Sequence, residues 1–320
     1  MNWLTGWKKK IKIKVKQILK KRPTGEEEVD WKNCPQCKKL TTKLDLSDNS
    51  FVCECSFHFD MPPKFRLDSL FDSGIYEIIE APSNIDPDPL NFVVDGRYTY
   101  SDKVKAYQRK TGQETALLAG SGLISGMKAV VTAFHSGFGG GRFGVHENEH
   151  FLAIANYAVR NKVDLWLCCY QSSGIDVHGG VRALYGMPKS ILAMNEIKQA
   201  NIPTFALASR GTSGGVYASS FFAHDFIFAE SSATDILFSG KRVTSNILKS
   251  TESIPDSFGT GIGVHKAGLV DKILNNRKDL KGIITQLASI ILKRKELKIS
   301  DEDEEANENS EKIGKTTSAS

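Results

Sequence analysis

The 320-residue chain is 40% apolar and 9% aromatic with a formal net charge of +5, which suffices for a sizeable globular core. No apolar run approaches the roughly eighteen residues that span a bilayer. The basic N-terminus also lacks the continuous apolar stretch and small-residue cleavage site of a secretory signal, so a cytoplasmic location is expected. In chain order, residues 8–22 hold eight Lys and one Arg with no acid. In this 1–29 arm Leu4, Trp7, Ile11, Val15 and Ile18 stand at helical spacing, which suits either a solvated arm or a helix on an anionic surface, lipid or nucleic acid. A cysteine-rich segment follows over 30–61, then a long α/β region over 62–297, then an acidic tail over 298–320 with seven acids between Asp301 and Glu311.

The long region alternates strand and helix signals. MKAVVTAF (127–134), LWLCCY (165–170), TFALAS (204–209) and DFIFAE (225–230) read as strands. Helices are expected near 148–160, on the face of Phe151, Ile154, Ala155, Ala158 and Val159, and over roughly 182–200, with a short one at Val216. Strand, glycine turn, helix, strand is the grammar of parallel βαβ units. The near-continuous apolar strands predict a sheet covered on both faces, with ligands at the strand ends where the glycines cluster. Cys168 and Cys169 lie inside an apolar strand and are expected to be core packing.

Three motifs carry chemistry. Cys34-Pro-Gln-Cys37, fifteen residues, then Cys53-Glu-Cys55 is the spacing of a four-cysteine zinc ribbon. The second knuckle is one residue short, so His58 is a candidate replacement for one thiolate. Gly139, Gly141 and Gly144 satisfy G-x-G-x-x-G, and Asp164 lies twenty residues on. That acid precedes the second strand, however, the wrong end for a ribose contact. No Walker-type phosphate loop is present. Gly211-Thr212-Ser213-Gly214-Gly215 satisfies G-x-S-x-G at a strand-to-helix turn. It supports two readings. Ser213 can be a hydrolase nucleophile with His265 and one of Asp225, Asp235 or Asp256, or Gly214 and Gly215 can offer backbone N–H groups to a substrate oxygen as an oxyanion hole.

The succession MNWL, DWKNCPQC, FVCEC, FRLDSLFDSG, KAYQRKTG, FGGGRFG, SSG, MPKS and TSGGVYAS resembles the beta subunits of bacterial acetyl-CoA carboxylase carboxyltransferase, from the first residues to about Lys295. The resemblance implies a crotonase-like spiral of ββα units with an N-terminal zinc ribbon, in the ATP-dependent pathway of fatty acid synthesis. It implies transfer of a carboxyl group from carboxybiotin to acetyl-CoA, giving malonyl-CoA. The partners it implies are an alpha-type subunit in an alpha2beta2 assembly, a biotin carboxyl carrier protein and biotin carboxylase. It places zinc on Cys34, Cys37, Cys53 and Cys55. Gly214 and Gly215 become the oxyanion hole, and Gly140, Gly141, Gly144, Ser173 and Gly174 border the substrate. Bulk at Gly214 or Gly215 is expected to block the amides and leave the fold intact.

The chain departs from the family in two places. The family's S-G-G-A-R-M reads Ser172 to Val177 here, with Ser173 for a glycine and Asp176 for the arginine. A carboxylate facing CoA phosphates would repel them by about 1 kcal/mol if solvated. His146, Glu147, Asn148 and Glu149 replace small residues. A divergent enzyme, an altered acyl-CoA preference and a degenerate, nucleic-acid-binding subunit stay open on the sequence.

Overall fold

The computed structural model describes residues 31–94, 96–247 and 254–292. The basic arm expected over 1–29 and the acidic tail over 298–320 lie outside them. Internal contacts separate two compact units, Met1–Cys55 and Ser56–Ser320.

In the first unit, β1 (Trp31–Asn33) pairs antiparallel with β2 (Leu40–Thr42). Helix α1 (Lys43–Asp48) follows, started by a capping box in which Thr42 and Asp45 satisfy each other's backbone N–H groups. The Cys34 amide donates to Lys39 O at 2.9 Å and Lys38 N to Cys34 O at 2.9 Å, folding the first knuckle.

The second unit is built on one sheet in the order β12-β10-β9-β8-β7-β6-β3. Strands β7 (Met127–Phe134), β8 (Leu165–Ser172), β9 (Thr204–Ser213), β10 (Phe226–Glu230) and β12 (Lys272–Leu274) run parallel. β6 (Leu117–Ile124) forms an antiparallel hairpin with β7 across Ser125 and Gly126, and β3 (Tyr76–Ile78) closes that edge. Both turn residues have positive φ, +48° and +73°, the twist a two-residue hairpin needs. Asp72 accepts from both turn amides.

Side chains alternate across the sheet. Val130, Trp166, Cys168, Tyr170, Ala206 and Ala208 face α4 (Val145–Arg160) and α6 (Gly186–Gln199). Val131, Leu165, Leu167, Cys169, Phe205 and Leu207 face α2 (Pro63–Leu70) and α10 (Asp279–Ile291). Cys168 and Cys169 are thus buried core, and burial pushes the Cys169 thiol up to about 11.

The crossovers match the expected βαβ progression. The helix expected over 182–200 is broken at Tyr185 into α5 (Gly180–Leu184) and α6. An outer layer adds the hairpin β4 (Val93–Val94) and β5 (Tyr98–Thr99), then α3 (Tyr100–Thr111). The β7–α4, β8–α5 and β9–α7 connections, with α7 spanning Gly214–Tyr217, all lie at one end of the sheet. This is the end where open α/β sheets place their sites.

Candidate functional site

The four cysteines of the ribbon come together, with all four sulfurs within 4.8 Å of one another. Cys34 and Cys55 Sγ are 3.6 Å apart, Cys37 and Cys53 Sγ 3.7 Å. Sulfurs around a tetrahedral ion at a Zn–S distance of about 2.3 Å stand roughly 3.8 Å apart, so the donor set fits zinc. Burial alone raises the Cys34 thiol, but the amides of Cys37 and Gln36 outweigh it and bring it to about 7. Both sulfurs of the shortened C-x-C knuckle, Cys53 and Cys55, take part in the cluster, although burial pushes the Cys53 thiol up to about 12. His58, the expected substitute, lies outside the cluster. It belongs to the larger unit, where its amide donates to Ser232 Oγ at 3.0 Å and its Nε2 donates to Asn275 O at 3.2 Å.

At the ligand end of the sheet the glycine turn after β7 lies against the loop after β8. Three backbone bonds join them: Ser173 N to Gly140 O at 2.9 Å, Phe143 N to Gly174 O at 2.9 Å, and Asp176 N to Phe143 O at 3.1 Å. Gly141, at φ +69°, approaches so closely that a Cβ there would sit 1.8 Å from Gln171 O. Gly140 faces the Ser173 side chain, whereas Gly144 caps α4 beside Arg142, Glu147 and Asp176.

Beyond this loop is the turn after β9. Strand β11 (Ile236–Leu237) pairs parallel with Thr212 and Ser213, and the Gly214 amide continues that ladder by donating to Phe238 O at 3.0 Å. The Gly215 amide has no partner among the described residues. Gly174 stands across from it: a Cβ on Gly174 would lie 3.4 Å from Gly215 N and 2.9 Å from Ser213 O, at a φ of +105°. Gly174 thus leaves the Gly215 amide uncovered. Gly215 itself packs on Ile175 and Met187, with a Cβ there meeting Ile175 Cγ1 at 2.3 Å. Bulk at Gly215 would therefore disturb packing as well as the amide. A groove of 440 Å³ opens alongside, lined by Gly140, Ser172, Ser173, Arg210, Gly211 and Ser213 among others.

A family profile described as the carboxyl transferase domain matches residues 92–316. The acetyl-coenzyme A carboxylase carboxyl transferase subunit beta of Agrobacterium fabrum is 31% identical over 294 residues, 92% of this chain and 95% of that one. Its counterpart in Pelagibacter ubique is 33% identical over 323 residues, 99% of this chain and all of that one. The chain belongs to the family of carboxyl transferase beta subunits. Among solved structures it is similar to transcarboxylase 12S, with a TM-score of 0.58, 19% identity and 72% of this chain covered. It spans only 41% of that longer chain. It is also similar to a Pseudomonas malonate decarboxylase hetero-dimer, with a TM-score of 0.56, 15% identity, and 83% of this chain and 98% of that one covered. At such identities the likeness speaks for the fold alone, which is the crotonase-like α/β fold expected.

Asp176 stands where the family resemblance leads one to expect an arginine, and the structure corrects the expectation of a carboxylate facing CoA. Asp176 is buried. Its Oδ2 accepts from Tyr100 Oη and from Arg142 Nη1, and its Oδ1 from His178 N at 3.1 Å and His178 Nδ1 at 2.7 Å. Burial alone would raise its pKa, but Tyr100, Arg142 and His178 outweigh it and hold the carboxyl below the usual range. With Arg142 against it, Asp176 is not a bare charge turned toward a phosphate. Burial also raises the Tyr100 phenol and keeps it a donor.

The four larger residues after the glycine turn are absorbed locally. Glu147, fully buried, accepts from Gly144 N and Ala116 N, both at 3.0 Å, and pairs with Arg142 at 3.4 Å. Asn148 donates to Ala183 O at 3.0 Å and His146 to Pro82 O at 3.0 Å. Lys189 pairs with Glu149 at 2.5 Å.

The hydrolase constellation is not assembled. Among the described residues no histidine is hydrogen-bonded to Ser213, and His265 is exposed on α9 (Gly261–Lys266). Asp225 is committed to the Thr204 amide and hydroxyl. Asp164 accepts from Lys128 N at the start of the strands, opposite the glycine turn, so the dinucleotide motif is a coincidence of spacing. The cluster of Tyr100, Arg142, Glu147, Asp176 and His178 had no sequence signature. Its members come from three separate segments.

Proposed function

We propose that this chain is the beta-type half of a two-subunit acetyl-CoA carboxylase carboxyltransferase, producing malonyl-CoA for fatty acid synthesis. The observation that carries the reading is the Gly215 amide, unpartnered at the end of β9 and left uncovered by Gly174. It lies in a chain whose relatives share this activity by name across nearly their full length.

Carboxybiotin, brought as a substrate on a carrier protein charged by a biotin carboxylase, supplies the carboxyl group. Loss of the carboxyl group leaves carboxybiotin as a urea anion whose nitrogen takes the proton released by the acetyl methyl carbon. Negative charge collects on the thioester oxygen before that carbon bonds to the carboxyl carbon. A preorganised N–H aimed at that oxygen stabilises the charge when it forms, and loss of one such donor typically costs roughly 100- to 1000-fold. Gly215 is assigned this donor role. Gly214, its amide held by Phe238, sets the turn. Gly140, Gly141, Ser173 and Gly174 shape the wall along which the thioester lies, and Gly144 starts the helix behind it. Ser213 is a turn residue.

Cys34, Cys37, Cys53 and Cys55 would hold one structural zinc. Metal analysis of protein purified without added zinc should give about one equivalent per chain, and a value near zero with the first unit still folded would refute this assignment.

One amide leaves a second oxygen, that of the biotin urea, without a donor. Val177, Val181, Leu184, Tyr185 and Leu192 are exposed apolar side chains beginning next to the site, a surface suited to burial by an alpha-type subunit. No helix among the described residues is long and apolar enough to cross a membrane. The chain mixed with acetyl-CoA and carboxybiotin should yield no malonyl-CoA until an alpha-type subunit is added. Robust turnover by the chain alone would sink the two-subunit reading.

A further inference from the structure

We propose that Arg142 and Asp176 are positioning residues for carboxyl transfer: their buried ion pair clamps the glycine turn to the loop after β8, fixing Gly174 across from the Gly215 amide. The inference rests on that amide being the oxyanion donor.

The clamp is needed because of what the turn is made of. Gly139, Gly140 and Gly141 follow one another at φ values of +58°, +76° and +69°. Such a run has no side chains to pack and the largest backbone entropy to lose. Three backbone bonds tie it to residues 173–176, but bonds between two loops hold only as firmly as the loops are held. Arg142 directly follows the glycines and Asp176 lies two residues beyond Gly174, so a link between their side chains closes the loop pair on both sides.

The surroundings fix the link in turn. Tyr100, at the first turn of α3, touches both partners through its hydroxyl. The His178 ring stacks on Tyr100 with centroids 4.1 Å apart and planes 5° from parallel. Arg142 also lies over the rings of Tyr100 and Phe138 at 5.2 and 5.4 Å. Glu147 holds its other edge while capping the helix that leaves the turn.

Two features separate positioning from substrate contact. Both oxygens of Asp176 are occupied, Oδ1 by two groups of His178 and Oδ2 by Tyr100 and Arg142. Both side chains are buried, at 5% and 6% exposure. A buried pair of this kind gains little net stability over apolar packing, because desolvation offsets the attraction. What it supplies is a single geometry. A misplacement of about 1 Å between a donor and its substrate can cost on the order of 100-fold in rate, which is the scale a loosened clamp would reach.

The test is steady-state kinetics of the complete complex, with alpha-type subunit and carboxybiotin, for Asp176→Asn, Arg142→Met and the double variant. Each single variant should lower kcat roughly 10- to 100-fold while the KM for acetyl-CoA stays within about twofold, because no phosphate or acyl contact is lost. The double variant should be no slower than the worse single one, since both changes break the same link. Arg142→Lys, which keeps the charge without the fork, should fall between wild type and Arg142→Met and serves if Arg142→Met does not fold. Effects that multiply, a change confined to KM, or lost thermal stability with unchanged kcat per folded complex would overturn the assignment. A wild-type complex without carboxyl transfer would instead refute the underlying function.

Discussion

Two buried charge clusters flank the sheet, and their stoichiometries are opposite. On the α4 side two carboxylates, Asp176 and Glu147, share one guanidinium, Arg142. On the α2 side one carboxylate, Glu230, is shared by two guanidiniums. Arg66 reaches it at 2.8 Å, and Arg277 meets it with Nε at 2.8 Å and Nη2 at 2.6 Å. The second cluster is a structural tie. Glu230 closes β10, Arg277 follows β12 and also donates to Phe59 O at 2.7 Å, and Arg66 sits on α2. None of these residues borders the glycine turn. The first cluster joins loops that carry the glycines. Equal burial therefore does not mean equal placement: one set of charges ties the edge of the fold, the other ties the loops that carry the glycines.

Neutralising one carboxylate in each cluster separates the roles. Glu230→Gln leaves two guanidiniums facing each other in the interior and should cost about 3–5 kcal/mol in denaturant unfolding of the α/β unit. Whatever complex still folds should keep a near-normal kcat. Asp176→Asn leaves Arg142 with Glu147 as counter-charge, so the stability loss should be nearer 1–2 kcal/mol while kcat falls. If the two variants exchange these signatures, the division fails.

The smallest effect is on the acid limb of stability. Burial alone would raise Glu230, but Arg277 and Arg66 outweigh it, as Tyr100, Arg142 and His178 do for Asp176, and both carboxyls are held below their usual range. Depressed folded values contribute stability that is complete above the unfolded carboxyl pKa, about 4, and lost as pH falls through the folded values. The unfolding free energy should thus be flat above about pH 5 and drop below pH 4. Either substitution should flatten that limb. An unchanged slope in both would mean that other carboxylates carry acid unfolding.

Much of the fold was legible because its strands are buried on both faces. MKAVVTAF, LWLCCY, TFALAS and DFIFAE became β7, β8, β9 and β10. β6 escaped notice. Its Gly120 and Gly122 argue against a strand, yet they are required there because Tyr76 and Phe71 lie against them, with added Cβ atoms at 2.8 Å. The long helix over 182–200 was read as continuous because its apolar spacing runs through Tyr185. The break falls at Tyr185, just before Gly186, where an added Cβ would lie 2.0 Å from Asn148 Oδ1.

The site was legible as glycine motifs and a family resemblance, which brought Gly140, Gly174 and Gly215 into view. Its electrostatics were not. Asp176 in sequence is an inverted charge two residues past a glycine, and only folding brings Arg142 and Tyr100 against it from 34 and 76 residues away. His58 was misread for the same reason: three residues from Cys55 in sequence, it is spent on Ser232 and Asn275 far along the chain.

The β6–β7 hairpin also bears on how the chain finds its shape. Eight registered pairs close across Ser125 and Gly126, an event on the order of microseconds for a hairpin. Strands β8, β9, β10 and β12 must each wait for an intervening helix before meeting a parallel neighbour, and that waiting slows folding. We expect residues 117–134 to form the nucleus, with Val130→Ala slowing refolding and Leu207→Ala mainly hastening unfolding. Equal effects of both on the refolding rate would show a diffuse start instead. On this order the Gly215 turn, which needs β9 and β11 in place, is among the last parts of the sheet to form, and a ribosome-bound chain stalled before Phe238 would hold most of the core without the finished Gly215 turn.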